Sequence, residues 1–125
     1  MAKSPKQEPG WLETPEDHDY PAAASYLGLH FDHKRVKQIV SALRKAPMTS
    51  FKAKDIFRAS GLSLLGVSNS HVATNLKKVK RGKALSPLLL MRQSDGSGII
   101  IADGYHRMCA MYVLNEDLDV PCKIV

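Results

Sequence analysis

The chemistry-bearing residues of this chain gather in one short stretch, "IIIADGYHRMCAMY", residues 99–112. A β-branched run gives way to Asp103, Gly104, Tyr105, His106 and Arg107, and then to a run of apolar residues suited to a helix. The start of a helix leaves backbone N–H groups without intrahelical partners and carries partial positive charge. A histidine and an arginine in that first turn oppose the helix dipole, so their placement asks for a counter-charge. A bound phosphate supplies it: backbone donors, the forked guanidinium of Arg107 and the imidazole of His106 converge on one anion, and Gly104, without a side chain, lets it approach. The plainer alternative is an exposed His–Arg pair that binds nothing, since strand–glycine–helix turns are common. For proton transfer, Asp103 or His106 is the candidate acid or base, and Tyr105 is the candidate nucleophile. Asp103 also has a simpler reading, as the N-cap of the helix.

A second cluster, "KKVKRGK", holds Lys77, Lys78, Lys80, Arg81 and Lys83. On a helix, Lys77, Lys80 and Arg81 share one face and would form a ridge for nucleic-acid phosphates; a solvated face is the competing reading. Aromatic residues that stack on bases are sparse there. The same stretch is no Walker loop, because it has a single glycine and no Ser or Thr after Lys83. "HFDH" places His30 and His33 three apart but finds no partner set for a metal, so no metal site is expected. Cys109 and Cys122 form no disulfide framework and read as reduced, partly buried thiols.

The elements that position these residues follow from periodicity. Residues 1–20 are polar, proline-bearing and periodless, which predicts a disordered acidic tail, with Trp11 and Leu12 as its possible anchors. "AAASYLGL" suits a short helix closed near Gly28. "DHKRVKQIVSALRKA" suits a clearer one, with Asp32 as N-cap, an inward stripe of Val36, Ile39, Val40 and Leu43, and Pro47 as a stop. Phe51 to Lys54 alternates like a strand and "DIFRAS" suits a helical turn; Gly61, Gly66 and neighbouring Ser and Asn mark a loop. "SHVATNLKKVKRGK" predicts a helix with Ser70 as cap, Val72, Leu76 and Val79 inward, and a stop at Gly82. "SPLLLMRQ", "SDGSG" and "IIIAD" read as a hairpin. The helix from Gly104 to about Asn115 follows, and "LDVPCKIV" is a last strand. The order predicts an α+β fold: a small mixed β-sheet with packed helices, forming one domain over residues 21–125 with an N-terminal helical extension.

The chain has 125 residues, enough for one such core. Residues 1–20 carry two lysines against five acids, a net of −3, so the overall +6 leaves +9 on residues 21–125. A body this basic favours an acidic partner: a nucleotide, DNA or an acidic protein surface. No apolar run approaches the roughly 20 residues of a membrane span, and the N-terminal stretch lacks a signal-peptide core. The expectation is a cytoplasmic protein with no membrane partner; the sequence leaves open whether two copies form a homodimer.

Residues 86–125, "SPLLLMRQSDGSGIIIADGYHRMCAMYVLNEDLDVPCKIV", resemble the C-terminal half of the ParB/sulfiredoxin-like domain. That domain places a strand hairpin, a G-x-x-R turn, a short helix and a closing strand in this order. Gly104-Tyr105-His106-Arg107 is closest to the sulfiredoxin wording, with Ala110, Tyr112 and Leu114 on the helix and Val120-Pro121 before the last strand. Upstream, "DIFRASGL" resembles the family's strand-to-loop segment, which puts Arg58 toward the nucleotide phosphates. "NSHVATNLKKV" resembles its nucleotide-contacting helix, with His71, Thr74 and Lys78 on that face. The resemblance covers residues 51–125. It implies a ParB/sulfiredoxin-like fold and a nucleotide ligand, CTP or ATP with Mg2+. Tyr105 stands where sulfiredoxins carry cysteine and ParB proteins an acid, so what carries over is the phosphate cradle. Three functions follow: a phosphate- or nucleotide-binding domain, with or without phosphotransfer or hydrolysis; a DNA-binding or nuclease-like accessory domain acting through its basic surface; and a scaffold that kept the fold and lost the ligand.

Overall fold

"LLLM" becomes a strand because both of its faces are covered. In the computed structural model, which describes residues 8–125, Leu88 and Leu90 belong to one hydrophobic cluster. Leu89 and Met91 belong to another, on the opposite side of the sheet. Covering on both sides is what turns alternating polarity into a continuous apolar run. The next strand repeats the pattern, with Ile101 in the first cluster and Ile100 and Ala102 in the second.

The elements in chain order are α1 (Asp19–Leu27), α2 (His33–Lys45), β1 (Thr49–Lys52), α3 (Ala53–Ser60), α4 (Ser70–Lys80), β2 (Leu88–Arg92), β3 (Ile99–Asp103), α5 (Tyr105–Leu114) and β4 (Asp119–Ile124). The fold is α+β, as expected, with five helices around a four-stranded mixed sheet. Strand order is β1-β4-β2-β3. β2 and β3 form the antiparallel hairpin, with Leu90 opposite Ile101; β4 pairs parallel to β2 and antiparallel to β1. A register shift between Leu89 and Leu90 brings Leu89 opposite Asp103, where β3 ends. Helices α1 and α2 cover one face; α3, α4 and α5 cover the other.

Helix α2 forms as its pattern predicts. Asp32 caps it, its Oδ1 accepting from the Arg35 N–H at 2.8 Å, and Val36, Ile39 and Leu43 are buried. At the other end the Lys123 ammonium, on β4, donates to the Arg44 carbonyl at 2.8 Å, a favourable placement of charge at a helix C-terminus.

Three expectations differ from the structure. Residues 8–20 are not a disordered tail. Leu12 N–H donates to the Leu85 carbonyl and Leu85 N–H to the Gly10 carbonyl, both at 2.8 Å, so this segment runs alongside the chain just before β2. Asp19 and Tyr20 are buried in α1. Two of the acids that suggested a solvated tail are held locally: the Asp19 carboxylate accepts from the Glu16 N–H and the Ser86 hydroxyl, and Glu16 pairs with His18 at 2.9 Å. Residues 1–7 of that expectation lie outside the described residues. The cap of α4 is Asn69, not Ser70; its Oδ1 accepts from the N–H groups of His71 and Val72 at 3.0 and 3.2 Å. The strand expected over 51–54 lies two residues earlier, at Thr49–Lys52, and α3 takes Ala53 and Lys54. Their N–H groups turn to the carbonyls of Leu118 and Glu116.

Candidate functional site

The site is built where β3 hands the chain to α5. Gly104 makes the turn with φ of 107°, a left-handed conformation that side chains rarely adopt. A Cβ there would also lie 2.6 Å from Leu88 Cγ and 3.0 Å from Arg107 Nη2. The glycine is thus required by packing against β2 and against the arginine, which is a different reason from the close anion approach expected of it. Asp103 is not the N-cap: no side chain caps α5. Its Oδ2 instead accepts from Arg107 Nη2 at 2.9 Å, one helical turn on, in an ion pair whose side chains are 16% and 17% exposed. Burial raises the Asp103 carboxyl above its ordinary value, against the opposing pull of Arg107. Arg107 Nε is buried and has no hydrogen-bond partner among the described residues.

Helix α4 supplies the facing wall. His71, Thr74, Asn75 and Lys78 line one cavity with Asp103, Gly104, Tyr105, His106 and Arg107; its volume is about 250 Å³. The His71 and His106 rings stand 4.7 Å apart between centroids, and Tyr105 lies 5.4 Å from His106. Burial lowers the His106 pKa, and the neighbouring His71 and Arg107 lower it further. The imidazole is therefore neutral at neutral pH, able to donate from one nitrogen and accept at the other. Thr74 Oγ1 donates to the Ser70 carbonyl, and Asn75 Nδ2 to the His71 carbonyl at 2.9 Å, so both hold the helix that presents His71 and Lys78.

Tyr105 is engaged elsewhere. Its hydroxyl donates to the Ser63 carbonyl in the 61–69 loop, and burial raises its pKa above the ordinary 10, with Cys109 beside it adding to the rise. Both features oppose the phenolate that a nucleophile needs. Cys109 and Cys122 are free and buried, Cys122 pushed up to about 11 by burial.

The chain matches no protein-family model, no curated protein and no solved structure. The likeness to ParB and sulfiredoxin domains rests on the sequence motifs alone.

Of the expected phosphate-contacting residues, six line the cavity: His71, Thr74, Lys78, Gly104, His106 and Arg107. Arg58 does not. It sits on the exposed side of α3, because the opposite side is used by Ala53, Ile56 and Phe57, whose ring packs 5.0 Å from Tyr112. The basic ridge is also elsewhere. Lys77 and Lys80 flank a separate groove of about 700 Å³ with apolar walls, among them Leu76, Val79, Val113 and Leu114, and Arg81 is the exposed C-cap of α4. The residue missed from sequence is Asn75. It falls three positions after Val72 and four before Val79, on the inward stripe of α4, and a polar residue on such a stripe is the signal for a buried polar role. Glu16, His18 and Asp19 bring potential metal-ligand atoms within 4.8 Å of one another. Their contacts are accounted for by the start of α1, where one Asp19 oxygen is already held by Glu16 N–H and Ser86.

Proposed function

We propose that the cleft between α4 and the start of α5 binds a phosphorylated ligand. The observation that carries this reading is convergence: side chains far apart in sequence, His71 and Lys78 on α4 and His106 and Arg107 on α5, line one small polar cavity. Helix α5 begins at it, so the positive end of its dipole adds to the cationic side chains. The uncapped first turn of α5 and the unpartnered Arg107 Nε are further donors in want of acceptors. Asp103 occupies one edge of the guanidinium, and a phosphate would share or take over that edge. The ParB/sulfiredoxin-like motif agrees with this use of the turn. Were a phosphoryl group transferred here, His106 would carry the proton, because its neutral imidazole suits that exchange and Tyr105 is tied to Ser63. A cytoplasmic location, where nucleotides are plentiful and cysteines stay reduced, goes with the reading. No helix among the described residues is long and apolar enough to cross a membrane.

The DNA-binding alternative gains less support. Two of its three ridge residues, Lys77 and Lys80, border apolar walls, which a phosphate backbone does not seek. Calorimetric titration of ATP and CTP into wild type, Arg107→Ala and Lys78→Ala tests the proposal. Lys78 is exposed, so its variant keeps the fold while removing a charge. Binding weakened about fivefold by Lys78→Ala, and more by Arg107→Ala, is expected. Unchanged affinity in both variants overturns the cradle.

A further inference from the structure

Resting on the phosphate-binding reading, we infer that this site recognises the phosphate chain of its ligand and leaves sugar and base in solvent. Its ligand class is then an oligophosphate group, free or carried by a nucleotide, with no choice of base. Size is the first observation. The cavity of about 250 Å³ falls below the roughly 300–1,000 Å³ of sites that bury a whole small molecule. A phosphate chain fits there, and the added ribose and base do not.

The walls are the second. Every lining residue with a side chain carries a nitrogen or oxygen on it, and among the described residues no purely aliphatic side chain, Phe or Trp lines the cavity. Base recognition takes a flat stacking partner and fixed donors at the base edge. The three rings present already neighbour one another: His71 and Tyr105 lie 4.7 and 5.4 Å from His106 between centroids, and the Tyr105 hydroxyl is held by Ser63. The lining amide suited to a base edge, Asn75, is buried and has one of its N–H donors committed to the His71 carbonyl.

Among the described residues, no apolar side chain close by joins the lining in their place. Leu62, Leu64 and Val67 of the 61–69 loop are exposed but do not line the cavity. The apolar groove lies between the far ends of α4 and α5, and no residue lines both.

The test is calorimetry on the full chain with tripolyphosphate, ATP, CTP and adenosine, Mg2+ held constant. Tripolyphosphate, ATP and CTP are expected to bind within about fivefold of one another, with no heat from adenosine, and Lys78→Ala should weaken all three alike. A spread beyond fivefold in favour of either nucleotide, or binding of adenosine, overturns base-blindness while leaving the phosphate cradle standing. Absence of binding by all three polyphosphates overturns the cradle and the inference with it.

Discussion

The same two helices make two unlike concavities. One face of α4, His71 to Lys78, encloses a small polar cavity with the start of α5; another face, Leu76 to Lys80, leaves a larger apolar groove with the end of α5. The first combines the start of α5 with Lys78, Arg107 and the His71–His106 pair, and so concentrates positive potential. The second has the exposed Lys77 and Lys80 beside Leu76, Val79, Val113 and Leu114, a setting in which lysine stems lean on apolar surface and keep their charge in water. Positive side chains occur in both. What separates them is which backbone ends are near and what the lysines lean on, so charge count along the sequence is a poor guide to where an anion binds.

The sharpest way to break this contrast is at Gly104. Gly104→Val forces a β-branched side chain into a left-handed turn and into Leu88. We expect about 3 kcal/mol of lost stability by urea denaturation. Val113→Ala, at a position 38% exposed in the groove, should cost less than about 1 kcal/mol. Equal costs would mean that the turn is not the strained end of the pair.

Acidity gives the next effect. Anion binding favours protonated His106, so tripolyphosphate affinity should rise about tenfold from pH 8 to pH 5.5. His106→Gln should flatten that rise, which separates the imidazole from protonation of the ligand itself. The free protein behaves oppositely. His106 has a folded pKa below 6.5, so the unfolded state takes up its proton first, and stability falls as pH drops through the window below 6.5. A His106→Gln protein that keeps the full pH dependence of binding would remove His106 from the site.

A smaller effect is expected at Asp103. Asp103→Asn removes the carboxylate that holds Arg107 Nη2 and should tighten tripolyphosphate binding about threefold. Weaker binding would show that the carboxylate positions Arg107 more than it competes for it. The smallest effect belongs to the groove: Lys77→Ala and Lys80→Ala should each change tripolyphosphate affinity less than about twofold, against the larger loss at Lys78. A loss at Lys77 or Lys80 matching that at Lys78 would dissolve the distinction between the two regions.

Much of this was legible in the sequence. The α2 stripe of Val36, Ile39 and Leu43 with its Asp32 cap, the β2–β3 hairpin and the glycine turn into α5 all rest on local rules, in which neighbours three or four residues apart, or across a tight turn, decide the outcome. The Gly-x-His-Arg turn is likewise readable from type and spacing, whereas the α4 face of His71, Thr74 and Lys78 is reached only through the resemblance to the family's nucleotide-contacting helix. Tertiary structure decided the rest, because long-range partners set it. Asp103 looks like a cap until Arg107 is seen to take its carboxylate. Arg58 looks like a phosphate ligand until α3 spends its inward side on Ile56 and Phe57. Residues 8–20 look like a solvated tail until Leu85 offers them backbone partners and Ser86 takes the Asp19 carboxylate. Local chemistry thus determined which residues were available to meet a phosphate, and packing between distant segments decided which of them face the same cavity.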